Sequence, residues 1–270
     1  MNIDHRIFPS LLRRKVKMLI IGAGGTGSAF LLNLVDLHQA LLAWGHPGAL
    51  DVCLADGDKV SETNCVRQAF ARSDVGQNKA TILINRVNLF YGFKWRAVPE
   101  FFSAETFLAR STYDSAPDIV VGCVDSRAAR REIERYVTSR SARVPYYLDL
   151  GNGSATGQFV LGQPLNAVNR RGKERLRTVG ELYPESLAEG EDPQPSCSAQ
   201  EALESQEPYV NKALVIPALS MLTRLFRYGQ ISYQGGFWNA ESGRLAPLTY
   251  DPEKRRREKN RRLVAIPVAA

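Results

Sequence analysis

The sequence predicts an α/β fold: a Rossmann-like, doubly wound, mostly parallel sheet with helices on both faces, plus a C-terminal helix and β-hairpin region. Three observations carry that expectation. Apolar strands alternate with amphipathic helices as far as residue 152, the rhythm that parallel crossover connections produce. A glycine-rich turn, GAGGTGS, joins an early apolar strand to the first long helix. Acidic residues, Asp56 and Asp125, close two of the apolar strands, at the carboxyl edge where open α/β sheets bind ligands.

The elements follow in order. KVKMLII is an apolar strand, and FLLNLVDLHQALLAWG is a helix in which Leu31, Leu34, Val35, Leu37, Leu41 and Leu42 recur at helical spacing. HPG ends that helix and LDVCLAD forms the second strand. GQNKATILINRVNLFYG is helical, with Ala80, Leu83, Ile84, Val87 and Leu89 on its apolar face. FKWRAVPEFF reads as a strand, SAETFLAR as a short helix, PDIVVGCVD as a buried strand, SRAARREIERYVTSR as a charged amphipathic helix and PYYLDLGN as the next strand. Beyond 152 the rhythm changes. GQFVLGQ is a strand, residues 164–198 are polar and Pro-containing, and YVNKALVIPALSMLTRLFRYG is helical, with Pro217 expected to kink it or to open its second half. ISYQGGFWNA and GRLAPLTYD suggest a hairpin. The expected organisation is a nucleotide-binding core over 1–163, a region over 164–250 that completes the same domain, and a basic tail over 251–270.

Composition narrows the class. With 44% hydrophobic and 23% charged residues, the chain has a real core. No run approaches the roughly 18 apolar residues of a membrane span, and MNIDHRIFPS lacks the features of a signal peptide, so a cytoplasmic protein with no membrane partner is expected. Cysteines at 53, 65, 123 and 197 form no C-x-x-C pair, which argues against a disulfide framework and against structural zinc. His5, His38 and His46 read as surface or loop residues. Much of the net charge of +7 is local: KRRREKNRR at 254–262 and RRGKERLR at 170–177 flank the acidic ELYPESLAEGED. A solvated tail is the plain reading, and attraction to an acidic protein or RNA is the alternative.

The chemistry concentrates in LADGDKVSETNCVRQ, residues 54–68, and the loop before it. Gly22, Gly24 and Gly27 match G-x-G-x-x-G between a strand and a helix, a turn that brings backbone N–H groups and a helix N-terminus up to phosphate. The loop alone fits NAD, FAD, S-adenosylmethionine or ATP. Asp56 is placed to hold ribose hydroxyls, and a dehydrogenase would need little else there. Asn64, Arg67 and Gln68 follow instead at i, i+3 and i+4, one face of a helical turn, and Lys79 opens the next helix. A guanidinium, an ammonium and amides suit a triphosphate, and a lone carboxylate, Asp125, suits magnesium beside it. Singly, Arg67 and Lys79 read equally as surface charges, Asn64 and Gln68 as loop amides and Asp125 as a helix N-cap. Together they favour phosphate.

GAGGTGS, DGDKVSETNCVRQ, GQNKA and CVDSRAARR together resemble the ThiF/MoeB/ubiquitin-activating superfamily over about residues 15–163. With LHQALLAWGHPG and INRVNLFYGFKW, the run most resembles the ThiF-family member of bacterial PRTRC gene clusters. Those clusters also encode a small ubiquitin-like protein and a JAB-type metalloprotease. The resemblance implies ATP and Mg2+ as cofactors. Gly25 would pack on the nucleotide and Asp56 would take the ribose, with Asp58 and Ser126 also in the nucleotide site. Asn64, Arg67, Gln68 and Lys79 would hold the triphosphate, and Asp125 the magnesium. The implied reaction is adenylation of a ubiquitin-like protein's C-terminal carboxylate with release of pyrophosphate, Arg67, Lys79 and Asp125 being catalytic.

Members of this superfamily often pass the acyl group to a cysteine in a loop before a late helix. Cys197, in the polar EDPQPSCSAQEALESQEP ahead of an apolar helix, is the candidate thioester nucleophile. Cys53 and Cys123 lie in apolar strands, and Cys65 lies inside the phosphate motif. The paired C-x-x-C zinc ligands of many ThiF and MoeB members are missing. An arginine lent to a dimer partner's site is not clearly marked, Arg6, Arg13 and Arg14 being the substitutes, so a homodimer is an expectation of the resemblance alone. The chain has no room for a separate ubiquitin-fold domain, which leaves 164–250 or the termini for docking a carrier enzyme. The competing readings are a tRNA-modifying branch that activates a carboxylate on an RNA base, an NAD-dependent oxidoreductase, and a catalytically silent scaffold.

Overall fold

Five parallel strands set the frame: β2 (Val16–Ile21), β3 (Leu50–Ala55), β4 (Arg96–Val98), β5 (Ile119–Gly122) and β6 (Tyr146–Asn152). A computed structural model describes residues 4–110, 116–169, 175–188 and 209–250. Three antiparallel strands, β7 (Thr156–Gly162), β9 (Tyr233–Asn239) and β10 (Arg244–Thr249), continue the same eight-stranded sheet in the order β10-β9-β7-β6-β5-β2-β3-β4. The C-terminal hairpin is therefore the sheet's edge. Pro247, which has no N–H to donate, is tolerated there because β10 pairs on one side only. A two-residue β1 (His5–Arg6) pairs separately with β8 (Gln230–Ile231).

Alternation along the strands divides the core between two faces. Met18, Ile20, Val52, Leu54, Ile119, Val121, Leu148 and Leu150 pack on one side with α1 (Gly25–Ala43), α3 (Lys79–Tyr91) and the late helix Val210–Tyr228. Leu19, Ile21, Val120 and Tyr147 face the other side, with α4 (Ala104–Arg110) and α5 (Arg127–Thr138). Between α1 and α3 lies the one-turn α2 (Asn64–Arg67), and α6 (Val179–Leu182) precedes the late helix, here α7. No helix among the described residues is long and apolar enough to cross a membrane.

Several expectations need correction. The strand read over FKWRAVPEFF shrinks to Arg96–Val98. Helix α7 is continuous across Pro217, so the proline does not open a second helix. Two histidines are core residues rather than surface ones: His5 is buried with Nε2 2.9 Å from the Tyr146 hydroxyl, and His38 packs beneath Phe93 and Trp95. Burial lowers the His5 pKa to about 4. Past β7, buried Asn166 and Asn169 donate to the Val137, Val144, Pro145 and Pro164 carbonyls, anchoring the start of the polar region.

Candidate functional site

Strand order reverses beside β2: β3 and β4 run to one side of it, β5 and β6 to the other. The crevice at such a reversal is where doubly wound sheets receive ligands, and the loops after β2, β3 and β5 open onto it. Gly22 has φ +96° and donates its N–H to the Ala55 carbonyl, and a Cβ there would lie 2.5 Å from the Cys123 carbonyl oxygen. A Cβ on Gly27 would fall 1.9 Å from the Gly22 carbonyl oxygen, so only glycine lets α1 seat against its own loop. Gly24, the extended N-cap of α1, faces open space. Gly25 faces protein instead, since a Cβ there would meet the Asn211 side-chain nitrogen at 2.3 Å.

Asp56 follows β3 and spans two loops. Its Oδ2 accepts the Ala23 N–H at 2.5 Å and its Oδ1 the Asp58 N–H at 2.7 Å. Burial raises its pKa, while those two N–H groups and Lys79 oppose the shift. Each oxygen keeps lone-pair capacity for a ligand hydroxyl. Lys79 is almost fully buried and places Nζ 3.0 Å from Asp58 Oδ2, while its N–H donates to the Asp58 carbonyl. The strap between them is pinned by a Lys59–Asn78 bridge and by Val60 N–H on the Gln77 carbonyl. Asn78, unremarked in the sequence, holds the junction: it caps α3 through Oδ1 and donates Nδ2 to the Asp56 and Asp58 carbonyls. Phe101, also unremarked, lies against Gly57 with about three-quarters of its surface exposed. An aromatic three residues past the end of β4 was the available signal.

The Asn64, Arg67 and Gln68 segment forms the expected turn, α2, with Gln68 as its C-cap. Asn64 Oδ1 accepts the Ser61 N–H, and Gln68 Oε1 is buried with no partner among the described residues. The Arg67 side chain lies outside the described set. Cys65 is half-buried, its Sγ 3.7 Å from the Ser61 carbonyl oxygen.

On the far side of β2, strand β5 ends at Gly122, and Asp125 stands three residues beyond, exposed at the sheet edge. The N-cap of α5 is Ser126, whose Oγ accepts the Ala129 N–H, so Asp125 is not the cap. Beneath this loop, buried Arg130 donates Nε to Asp149 Oδ1 at 2.8 Å and Nη2 to the Val124 carbonyl at 3.2 Å. Tyr147 adds its hydroxyl to the same Asp149 oxygen, and Asp149 Oδ2 is buried without a partner among the described residues. Burial works against the Arg130 charge, but Asp149, then Tyr147 and Asp125, outweigh it and raise the pKa.

One turn along α5, burial raises Glu134 from 4.5 to about 7, against the Thr178 hydroxyl bonded to its Oε1. The proton has room on Oε2, which is buried without a partner among the described residues. Because the folded pKa is the higher one, this group's stabilisation is complete below 4.5 and lost as pH rises through about 7. Glu134→Gln is expected to be more stable than the parent at pH 8, by on the order of 2 kcal/mol, with no gain at pH 4.5. Urea unfolding at the two pH values checks this.

The Thr26 hydroxyl, at the start of α1, lies within hydrogen-bond distance of the Asn152 (3.1 Å) and Asn211 (2.8 Å) side-chain oxygens, joining the ends of β6 and α7 to the glycine loop. Of the arginines considered as substitutes for a dimer arginine, Arg14 forms a two-armed pair with Asp118. Among the described residues no group of three His, Cys, Asp or Glu side chains could hold a metal. A lone Asp125 fits magnesium only as Mg·ATP, where phosphate and water complete the shell. Asp56, Lys79 and the open face of Gly24 fit a nucleotide. Cys197 lies outside the described residues.

The fold and its crevice define a doubly wound nucleotide-type α/β protein. The ThiF family model matches residues 11–259, and the chain belongs to the ThiF family. No curated protein sequence matches it. Among solved structures it is similar to E. coli MccB with MccA-N7isoASN, at 17% identity and TM-score 0.59 over 87% of this chain and 64% of that one. E. coli MccB with ATP gives 17% and 0.56, and PaaA gives 15% and 0.55, each over the same 87% and 64%. The chain thus spans 64% of the length of these neighbours, and at such identities the likeness establishes the fold.

Proposed function

We propose that this protein adenylates a carboxylate at the C-terminus of a small ubiquitin-like protein. The observation that carries the reading is the buried Lys79, held by Asp58 directly beside Asp56. NAD, whose ribose hydroxyls a carboxylate such as Asp56 would take, needs no ammonium beside it, whereas phosphates about to part do. The ThiF membership supports the reading, as does a neighbouring fold, E. coli MccB, solved with ATP. Bound ATP supplies an electrophilic α-phosphorus: a carboxylate oxygen bonds to it, the bond to the β-phosphate oxygen breaks, and pyrophosphate leaves.

The chain's own residues bind and orient. Asp56 offers its remaining lone pairs to ribose hydroxyls, and exposed Phe101 offers a ring face to the base. The glycine loop and the α1 N-terminus turn N–H groups toward phosphate. Lys79 exchanges Asp58 for phosphate oxygens, with Asn64, Arg67 and Gln68 around it, and Asp125 takes magnesium. Cys197 receives the acyl group as a thioester. The setting is cytoplasmic, the enzyme a homodimer, and the ubiquitin-like partner and a JAB-type protease are encoded nearby, as in PRTRC clusters.

The test is isotope exchange between pyrophosphate and ATP, with magnesium and the neighbouring ubiquitin-like protein. Exchange is expected with an intact partner C-terminus and not with an amidated one. Cleavage to ADP and phosphate, or exchange indifferent to the partner's carboxylate, would sink the reading. Stimulation by tRNA in place of the protein would move it to the RNA-modifying branch. Cys197→Ala should abolish a thiol-sensitive adduct while exchange survives.

A further inference from the structure

Asp149 is fully buried on β6, and one of its oxygens has no partner among the described residues. Its other oxygen accepts from Arg130 and Tyr147. For stability alone this is a poor arrangement, since a buried ion pair exchanged for apolar side chains of like volume is commonly neutral or stabilising. Its geometry has another consequence. Arg130 has two arms: Nε on Asp149 at 2.8 Å, and Nη2 on the Val124 carbonyl at 3.2 Å, one residue before Asp125. Space for Nη2 is kept by Gly151, where a Cβ would stand 3.0 Å from it. On the other side of Asp125, Ser126 is fixed as the N-cap of α5, the helix that carries Arg130. The peptide bearing Asp125 is thus clamped before and after the carboxylate, which itself stays exposed at the sheet edge.

We infer that Asp149 and Arg130 are a positioning pair for Asp125, fixing where its carboxylate meets magnesium on the bound nucleotide. The pair touches neither nucleotide nor metal. It acts through the Val124 carbonyl, as residues behind a ligand set the ligand's direction. The inference rests on the proposed nucleotide site.

The experiment uses the full chain and two readouts: the rise in melting temperature with ATP alone and with ATP plus Mg2+, and the Mg2+ half-saturation of pyrophosphate exchange. In the parent, Mg2+ should add an increment to the ATP shift, and Asp125→Asn should remove that increment. The double variant Arg130→Met with Asp149→Leu removes both charges and strands neither. It should keep the shift with ATP alone, lose the Mg2+ increment, and need at least about tenfold more Mg2+. Arg130→Lys, which keeps a charge for Asp149 but cannot hold both acceptors, should show the same loss and covers the case in which the double variant does not fold. A parent-like increment and half-saturation in either folded variant overturns the inference. No shift with ATP in the parent itself is a different failure, that of the nucleotide site, and takes the inference with it.

Discussion

Lys79→Met is expected to lower pyrophosphate exchange at least about a hundredfold while leaving the protein folded. Lys79 is the almost fully buried cation at the crevice, and its only described ion-pair partner, Asp58, is half-exposed. Methionine fills the aliphatic path, and the carboxylate left behind is solvated, so the cost in stability should stay within about 1 kcal/mol. Phosphate loses the buried ammonium. Exchange rates beside a thermal melt separate the two effects. A variant that melts like the parent and exchanges within threefold of it contradicts the role given to Lys79.

Gly27→Ala is expected to act in the opposite way, through the fold. The added Cβ would sit 1.9 Å from the Gly22 carbonyl oxygen, a backbone atom that cannot swing aside. Helix α1 must shift or the loop must open, at a cost of about 3 kcal/mol or more, which lowers the melting temperature by roughly 6–12 °C in a chain of this size. Gly24→Ala is the control. Its Cβ meets nothing within 4 Å and its φ is −71°, so stability should change by less than about 0.5 kcal/mol while ATP binding weakens. Comparing the two by melt and by ATP titration distinguishes a glycine needed for packing from one kept for a ligand.

Sequence periodicity made most of the sheet legible because it reports local burial. Strand residues that alternate between the two cores, and helices with a 3.6-residue apolar stripe, announce themselves within a few residues. The acids at strand ends were readable for the same reason. Long-range pairings were not. Asn211 bonds to Thr26 across 185 positions, and nothing local in YVNKALV distinguishes that amide from a helix-surface residue. Arg130 sits in a charged amphipathic helix, and only β6 beside it turns Arg130 into a buried partner of Asp149. His5 reads as a surface or loop residue, yet pairing of β1 with β8 tucks it beneath Tyr146 and Tyr250. The C-terminal hairpin was visible as a hairpin, but its attachment to β7 depends on the register Gly157↔Trp238. Gly25 was expected to pack on the nucleotide, and the side chain against it is Asn211.

Calorimetric titration with ATP and NAD, on the parent and on Asp56→Ala, tests most directly that the glycine loop and Asp56 hold ATP. The account predicts saturable ATP binding that NAD does not displace, weakened at least about tenfold when the ribose carboxylate is gone. Saturable NAD binding that ATP cannot displace, or ATP binding indifferent to Asp56→Ala, would contradict it.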